Sequence, residues 1–211
     1  MNVAKTSSIS TRGAGRSWLM RPGLRRLVAA GMLLGLLSAA ARPQDIPEAS
    51  QLPIFFKLLT YDRTLWEQPR SILRIGLLHR PGDAASQANL VAMVEALTAA
   101  ADKTINGARF VTTTLAWSPP DELAPLLAGA QIDVLYVTAG NGEYLEAIQK
   151  ETRGRDILTL AAIAEDVSAG LAVGLGILNG RPVVRVNLGA LEAEGQQLDA
   201  RVLKISEVVD R

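Results

Sequence analysis

Residues 132–142 have the sequence IDVLYVTAGNG, in which a short apolar run passes directly into a glycine-rich segment. The run 132–137 is rich in β-branched and aromatic side chains, so it predicts a strand buried on both faces of a parallel sheet. The segment 138–142 predicts a tight turn, and apolar residues then recur at helical spacing as far as Ile148. A strand, a turn and a helix in this order indicate one βα unit.

The same alternation of strand and helix patterns extends toward the N-terminus. The runs ILRIGLL at 72–78 and ARFVTTTL at 108–115 predict two more strands. Between them, residues 88–101 have their apolar side chains on one helical face, and Asp83 is placed to cap that helix. A very apolar first helix is predicted over 52–66.

Toward the C-terminus the alternation gives way to a hairpin. A fourth strand is predicted over 156–160, followed by a short helix that Gly170 ends. The apolar runs 171–178 and 182–188 then flank the Asn179-Gly180 pair, which favours a two-residue hairpin turn because both residues tolerate positive φ. Four βα units and a hairpin predict an α/β fold: one open, mainly parallel sheet with helices on both faces and a C-terminal hairpin plus helix, in three αβα layers.

Polar residues are predicted to cap three further helices. Ser118, Asn187 and Asp199 each precede an apolar helical pattern, and the pattern after Asn187 is broken near Gly195. The last segment is predicted to pack back onto the domain through its apolar residues, which are Val202, Leu203, Ile205, Val208 and Val209.

The first 41 residues have the composition of an export signal. They contain six basic residues, no acid and a final apolar run, 27–41, that ends in small residues. A permanent membrane helix needs about 20 apolar residues, so the shorter run favours a cleaved signal peptide over 1–41 and a periplasmic protein. A linker is then predicted over 42–50 and the domain over 51–211. Retention of the run as a membrane anchor is the alternative, and Arg25-Arg26 raises twin-arginine export beside the general route.

Charge and composition exclude several classes of function. The chain has 22 basic and 21 acidic residues, and six basic residues but no acid precede Arg42, so the rest has 16 basic and 21 acidic residues and a net charge of −5. A nucleic-acid partner is not expected, because phosphate binding needs clustered Lys and Arg. With no cysteine and one histidine, we expect no disulfide, metal site or cofactor. The common nucleophile, zinc-protease and phosphate-loop motifs are also missing, which argues against an enzyme and makes a hydrolase the weakest hypothesis.

Several segments together resemble the YfiR-like family. At the C-terminus they are Val186-Asn187-Leu188, Ala190, Glu194-Gly195 and Val202-Leu203-Lys204-Ile205. Further matches are FFKLLTYDR at 55–63, the strand at 73–78 and the strand at 134–137 that runs into the glycine-rich segment. The resemblance implies a periplasmic regulatory protein that contacts the periplasmic part of a membrane-bound signalling protein, such as a diguanylate cyclase or a histidine kinase. The redox-sensitive cysteines of the family's best-known member have no counterpart here, and 199–203 is DARVL where the family usually has serines.

The predicted carboxyl edge of the sheet is the first candidate site. His79 follows the first strand, and Gly140 and Asn141 follow the third, at the edge where open α/β sheets bind ligands. A small-ligand carrier or sensor is therefore the second functional hypothesis. The competing interpretation is structural: a loop histidine, and a turn whose Glu143 already complements the helix dipole.

Candidate contacts with a protein partner lie in two other regions. Phe55 and Phe56 are adjacent and cannot both face inward from one helix, so the first helix is expected to offer an apolar docking or homodimer surface. Asp62 and Arg63 follow it as a polar cluster that could contact a partner or form an internal ion pair. Near the hairpin, Arg181, Arg185 and Asn187 are candidate contacts, with solvated strand charges as the simpler explanation for the arginines.

Overall fold

The sheet is built from the short apolar strands that the sequence predicts and one that it does not. A computed structural model describes residues 46–119 and 121–209. Its strands are β1 (Ile72–His79), β2 (Arg109–Ala116), β3 (Val134–Val137), β4 (Leu158–Ala161), β5 (Val173–Leu178), β6 (Arg181–Asn187) and β7 (Glu207–Val209). They form one sheet in the order β2-β1-β3-β4-β5-β6-β7. The strands β1 to β5 are parallel, β6 is antiparallel to β5, and β7 is parallel to β6. The predicted signal peptide, 1–41, lies outside the described residues.

Helices cover both faces of this sheet, which confirms the predicted α/β class. They are α1 (Glu48–Leu59), α2 (Ala84–Ala99), α3 (Ala124–Ala130), α4 (Leu145–Thr152), α5 (Ala164–Ser168), α6 (Leu188–Ala193) and α7 (Ala200–Leu203). Leu77 belongs to a core cluster with side chains of α1 and α2, whereas Leu78 belongs to a second cluster with side chains of α3, α4 and α5. Successive strand residues thus serve opposite faces. In the described ranges, no helix is long and apolar enough to cross a bilayer.

Most of the predicted turn and cap residues act as expected. Asn179 and Gly180 both have positive φ, 52° and 75°, as a type I′ hairpin turn requires. The side chains of Asp83, Asn187 and Asp199 accept hydrogen bonds from backbone N–H groups at the starts of α2, α6 and α7. These polar groups fix the ends of helices that the apolar pattern alone places only approximately.

The first helix begins earlier and ends earlier than predicted. α1 starts at Glu48, inside the predicted linker 42–50. It ends at Leu59, whereas the apolar pattern predicted a helix as far as residue 66. The first turn is favoured because Glu48 complements the helix dipole and because the Gln51 side chain donates to the Ile46 carbonyl. Asp62 starts a separate 3₁₀ turn by accepting a hydrogen bond from the N–H of Leu65 at 3.0 Å.

Two predictions about later segments are wrong. Ser118 does not cap α3, which begins after Leu123, because the Ser118 carbonyl accepts the N–H of Asp121 (3.0 Å) in a turn of its own. Ile205 and Val208 do not pack onto the domain, since 77% and 41% of their surfaces are exposed. The residues that follow Ile205 form β7 and not a helix, because their β-branched side chains and backbone pair with β6.

The two adjacent phenylalanines of α1 differ in burial, and Phe55 cannot be part of the predicted docking surface. Phe55 is 2% exposed, and its ring lies 6.2 Å from that of Tyr136 in an edge-on arrangement. Phe56 is half-buried against Phe110, at a ring distance of 5.0 Å. α1 packs on one face of the sheet, with Phe55 against β3 and Phe56 against β2. Phe55 is therefore a core residue and is not available to a partner.

This difference in burial predicts unequal losses of stability. Phe55→Ala should lower the free energy of unfolding by about 3–5 kcal/mol, as for other fully buried phenylalanines, and Phe56→Ala by roughly half as much. Urea denaturation followed by circular dichroism measures both. Equal losses for the two variants would contradict the burial described here.

Candidate functional site

The sheet order creates a crevice between β1 and β3 at their carboxyl ends. The chain passes from β1 outward to β2 on one side and then returns to β3 on the other. In open α/β sheets, such a reversal separates the loops on the two faces and leaves room for a ligand. His79 ends β1, and the loop with Gly140 and Asn141 follows β3, so the structure brings the three sequence-predicted residues to the same edge.

The chain's own side chains fill the mouth of this crevice. Arg80 donates from Nη1 to the carbonyl of Gly140 at 2.6 Å, and its guanidinium lies 4.7 Å from the centre of the Tyr144 ring. A Cβ atom at Gly140, where φ is +81°, would lie 2.5 Å from Oδ1 of Asp83. Gly140 is thus needed so that the loop can approach the start of α2 closely. Arg80, which no sequence pattern singled out, holds the two loops together.

Below Arg80, a buried hydrogen-bond network joins the two strand ends. Ser86 Oγ accepts from the N–H of Arg80 at 2.8 Å and lies 2.7 Å from Oγ1 of Thr138. Thr138 also donates to the Leu78 carbonyl, and Asn141 donates from Nδ2 to the Thr138 carbonyl at 2.9 Å. Asn141 is fully buried, so its role is to hold the loop after β3. Its Oδ1 has no hydrogen-bond partner within the described residues.

His79 is a half-buried residue at the rim of the crevice. Its Nδ1 lies 3.3 Å from Nε2 of Gln87, which can donate to it when the imidazole is neutral. Burial lowers the pKa of His79 below its usual 6.5, which favours the neutral form at pH 7. The ring can therefore exchange hydrogen bonds with a ligand without carrying charge.

Asp62 and Arg63 join the chain after α1 to the segment before α7. The N–H of Arg63 donates to the Gln197 carbonyl (2.8 Å), and the N–H of Asp199 donates to the carbonyl of Tyr61 (2.9 Å). Arg63 also lies 3.5 Å from Asp199 in an ion pair that is largely exposed on the arginine side. Asp62 is 1% exposed, and burial raises its pKa to about 6. Asp62 thus has the internal role that was one of its two predicted roles, whereas the Arg63 side chain remains mostly exposed.

The candidate residues of the hairpin lie in different environments. Arg181 is exposed beside the turn. Arg185 is paired with Glu207 of β7 at 2.9 Å, so it links the last two strands. Asn187 is buried, accepts the N–H of Ala190 at 2.9 Å and donates to the Val167 carbonyl at 3.0 Å. Of these three, Arg181 has the position that suits a contact with another protein.

Glu194 is a buried acid, and nothing in the sequence indicated its burial. It is 1% exposed and accepts hydrogen bonds from the N–H (2.9 Å) and the hydroxyl (2.7 Å) of Thr159 in β4. Burial raises the pKa of Glu194 to about 7, against the lowering effect of these hydrogen bonds. Burial likewise raises the pKa of Asp166 to about 6. A single sequence contains no signal for this, since Asp166 lies on a short helix and Glu194 directly follows one, and acids at such positions are usually exposed.

An open groove of about 700 Å³ lies next to Arg63, near the amino ends of the central strands. Leu191 and Leu203 form part of its wall, and Gln196, which is 5% exposed, also lines it. Oε1 of Gln196 has no hydrogen-bond partner among the described residues. The groove thus combines apolar walls with one buried acceptor. Within residues 46–119 and 121–209, no group of three Asp, Glu or His side chains is arranged to hold a metal ion.

The raised pKa of Glu194 predicts a stability that falls as pH increases. Between the ordinary carboxyl pKa of about 4.5 and about 7, the folded protein binds a proton that the unfolded chain has released, so unfolding becomes easier as pH rises through this window. In the unmodified protein, Glu194 should lower the free energy of unfolding by about 2 kcal/mol between about pH 5 and about pH 8. This is less than roughly 1.4 kcal/mol per pKa unit would give, because solvent relaxation reduces the effect. Glu194→Gln should remove this part of the loss. Urea denaturation at the two pH values measures the loss. Glu192→Gln, at an exposed acid of the helix that Glu194 follows, is the control and should leave the pH dependence unchanged. A Glu194→Gln variant that also leaves the pH dependence unchanged would contradict the assignment.

Comparison with solved structures gives similarity at the level of the fold. A conserved domain protein from Vibrio cholerae O1 biovar El Tor superposes with a TM-score of 0.51 at 13% identity, over 78% of this chain and 60% of the other. An ABC domain in complex with L-Trp from Streptococcus pneumoniae gives 0.53 at 13% identity, over 77% and 60%. The chain therefore spans about 60% of the length of each. Comparison with curated proteins gives no match.

The family comparison is more specific than these structural similarities. The model of the YfiR/HmsC-like family matches residues 54–207, from the middle of α1 to the start of β7. This range covers well over half of the 211 residues and includes every segment that carried the resemblance in the sequence. The chain belongs to the YfiR/HmsC-like family of periplasmic regulatory proteins.

Proposed function

We propose that this protein is exported through a cleaved N-terminal signal peptide and regulates a membrane-bound signalling protein by binding its periplasmic part. A diguanylate cyclase or a histidine kinase is the class of partner that fits this role. The observation that carries the proposal is the family match over residues 54–207. Regulation would follow from a difference in affinity for two states of the partner, since a ligand shifts an equilibrium only by that difference.

The geometry of the polar residues supports binding as the mode of action. At the carboxyl edge, Arg80, Thr138 and Asn141 are engaged with each other or with the backbone. At the opposite edge, Asp62 and Glu194 are buried in structural hydrogen bonds. Groups held in this way stabilise loops and are not presented to a substrate. For contact with a protein partner, the exposed surface is therefore the part of the domain that remains.

The tip of the β5–β6 hairpin is the surface that best fits a protein partner. Ile177 and Leu178 keep 40% and 50% of their surface exposed, next to the exposed Arg181. Leu178 and Arg181 face each other across the type I′ turn, which holds them in a fixed arrangement. Arginine is enriched among the residues that dominate binding at protein interfaces, and exposed apolar neighbours exclude water around it. The complementary surface on the partner would be apolar with an adjacent acid.

Substitution at the hairpin tip tests the proposed contact. Leu178→Glu combined with Arg181→Glu should weaken binding to the periplasmic part of the cyclase or kinase at least tenfold, about 1.4 kcal/mol. The measurements are copurification in mild detergent and the signalling output, cyclic dinucleotide level or kinase phosphorylation, in cells that produce both proteins.

Ile205→Glu is the matched control, because Ile205 is an exposed apolar residue outside the hairpin. It should leave binding and output unchanged. Copurification of no cyclase or kinase with the unmodified protein would refute the function itself. Equal binding by the hairpin variant and the control would refute the assigned surface.

A small-ligand role is the second candidate, and the groove beside Arg63 favours it. The buried, unpaired Oε1 of Gln196 offers an acceptor to a ligand N–H or O–H group between apolar walls. Thermal-shift measurements with free amino acids and other small metabolites test this, since ligand at 100 times its dissociation constant stabilises a fold by about 2.7 kcal/mol. A true ligand of the groove should lose its effect in Gln196→Leu, whereas a shift that persists there would place the ligand elsewhere.

A further inference from the structure

Asparagine followed by glycine occurs at three places in the chain. The pairs are Asn106-Gly107, Asn141-Gly142 and Asn179-Gly180. In such a pair the side-chain amide of the asparagine is close in the covalent structure to the backbone nitrogen of the next residue, and glycine has no Cβ to hinder their approach. Asparagine before glycine is therefore the sequence most prone to deamidation in water. The three pairs share this chemistry and differ in their surroundings.

The backbone conformation of an asparagine controls whether its side chain can react. Deamidation begins when the nitrogen of the following residue attacks Cγ. In the left-handed conformation this nitrogen lies on the far side of the Cα–C bond from Cβ and cannot reach Cγ. Asn106 and Asn179 both have left-handed φ values, 49° and 52°. Each can therefore react only when its turn opens, and the ease of opening decides the rate.

The Asn141-Gly142 pair is protected by burial and by hydrogen bonds. Asn141 is fully buried, and its Nδ2 donates to the carbonyl oxygen of Thr138 at 2.9 Å and to the hydroxyl oxygen of the same residue at 3.2 Å. Rotation of this amide toward Gly142 would break both contacts and leave buried polar groups without partners. We expect reaction here only after local unfolding.

The Asn106-Gly107 pair lies in a turn that is held on both sides. Ile105 and Ala108 flank it, are fully buried, and each donate a backbone N–H to the carbonyl of the other, at 2.9 and 3.0 Å. The N–H of the next residue, Arg109, donates to the carbonyl of Ser71, just before β1. Opening of this turn has to displace two buried residues.

The Asn179-Gly180 pair lies in the turn with the least support from the rest of the sheet. β4 pairs with β5 only as far as Gly174, and β7 pairs with β6 only from Arg185 onward. Next to the turn, Leu178 pairs with Arg181, and Leu178 keeps 50% of its surface exposed. A Cβ atom placed at Gly180 would meet no atom within 4 Å, so water has free access. Opening of this turn breaks few contacts.

We propose that Asn179 is a site of spontaneous deamidation in the folded protein. When the turn opens, the nitrogen of Gly180 forms a bond to Cγ of Asn179, the Cγ–Nδ2 bond breaks, and ammonia leaves with the proton of the Gly180 N–H. Water then adds to one of the two carbonyl carbons of the resulting succinimide and breaks its bond to nitrogen. Cleavage at Cγ gives aspartate, and cleavage at the backbone carbonyl carbon gives isoaspartate. Water is the co-reactant, and no atom is oxidised or reduced.

The products alter the two features on which the proposed partner contact depends. The new carboxylate lies next to Arg181 and offsets its charge. Isoaspartate also lengthens the backbone of the turn by a methylene group, so Leu178 and Arg181 no longer face each other in a fixed arrangement. Both changes weaken the contact, so the hairpin loses affinity for its partner as the protein ages. This consequence rests on the proposed function, whereas the reaction itself does not.

Peptide mass mapping of the full chain, purified and incubated at mildly alkaline pH, measures the reaction at each pair, because exchange of NH2 for OH raises the mass of the peptide. In the folded protein Asn179 should react at least about tenfold faster than Asn106 and Asn141, equivalent to roughly 1.4 kcal/mol in the barrier. In concentrated urea the three pairs should react at similar rates, because their surroundings are then alike. Asn106 or Asn141 reacting as fast as Asn179 in the folded protein, or Asn179 reacting in urea only, would overturn the assignment.

Two substitutions at the turn separate the reaction from its consequence. Asn179→Gly keeps a residue that tolerates positive φ but has no amide, so it should show no mass change at this position and should bind like the fresh, unmodified protein. Asn179→Asp introduces the carboxylate of the product in a sequence that still favours the type I′ turn, and should weaken copurification with the cyclase or kinase at least about threefold.

Incubation should lower the binding of the unmodified protein in step with its mass change and leave that of Asn179→Gly constant. Equal binding by the Asn179→Gly and Asn179→Asp variants would overturn the consequence for the partner contact. If the fresh protein binds no cyclase or kinase, the proposed function fails and this consequence with it. The mass change at Asn179 decides the reaction in either case.

Discussion

Strand β3 has to satisfy its backbone hydrogen-bonding groups through neighbouring strands, because all four of its residues are buried on both faces. The strands β1 and β4 provide those partners in parallel registers, Leu135 pairing with Gly76 on one side and Thr159 on the other. Parallel neighbours require crossover connections, so each strand has to be followed by a helix on one face or the other. The two apolar cores and the crevice between β1 and β3 follow from this requirement.

Where a feature depends on local chemistry, the sequence was sufficient to predict it. The Asn179-Gly180 turn and the caps by Asp83, Asn187 and Asp199 need only neighbouring backbone groups, and they are found as predicted. Features that depend on distant partners were missed. β7 exists because β6 offers it an edge. Apolar spacing on α1 could not decide which phenylalanine the sheet would cover.

For the candidate site, the sequence predicts the position of the residues but not their surroundings. Strand order was enough to place His79 and the loop after β3 at one edge, because carboxyl ends of parallel strands coincide. Arg80 closes the crevice through a hydrogen bond to Gly140, which is 60 residues later in the chain. Local sequence patterns do not indicate contacts of this kind. The burial of Glu194 has the same origin: its hydrogen bonds are to Thr159, 35 residues earlier in the chain. Long-range contacts thus turned residues that looked available into structural ones.

The two edges of the sheet differ in a way that bears on how the protein meets other molecules. On one side, β7 is only three residues long and is tied to β6 by the Arg185–Glu207 ion pair, so it offers little backbone for further pairing. On the other, β2 is eight residues long and its only charge is at one end. Internal contacts occupy most of the buried polar groups in the described residues, so contact with a protein partner falls to exposed surface. The β2 edge and the hairpin tip lie on strands at different positions in the sheet order, so they are separate surfaces.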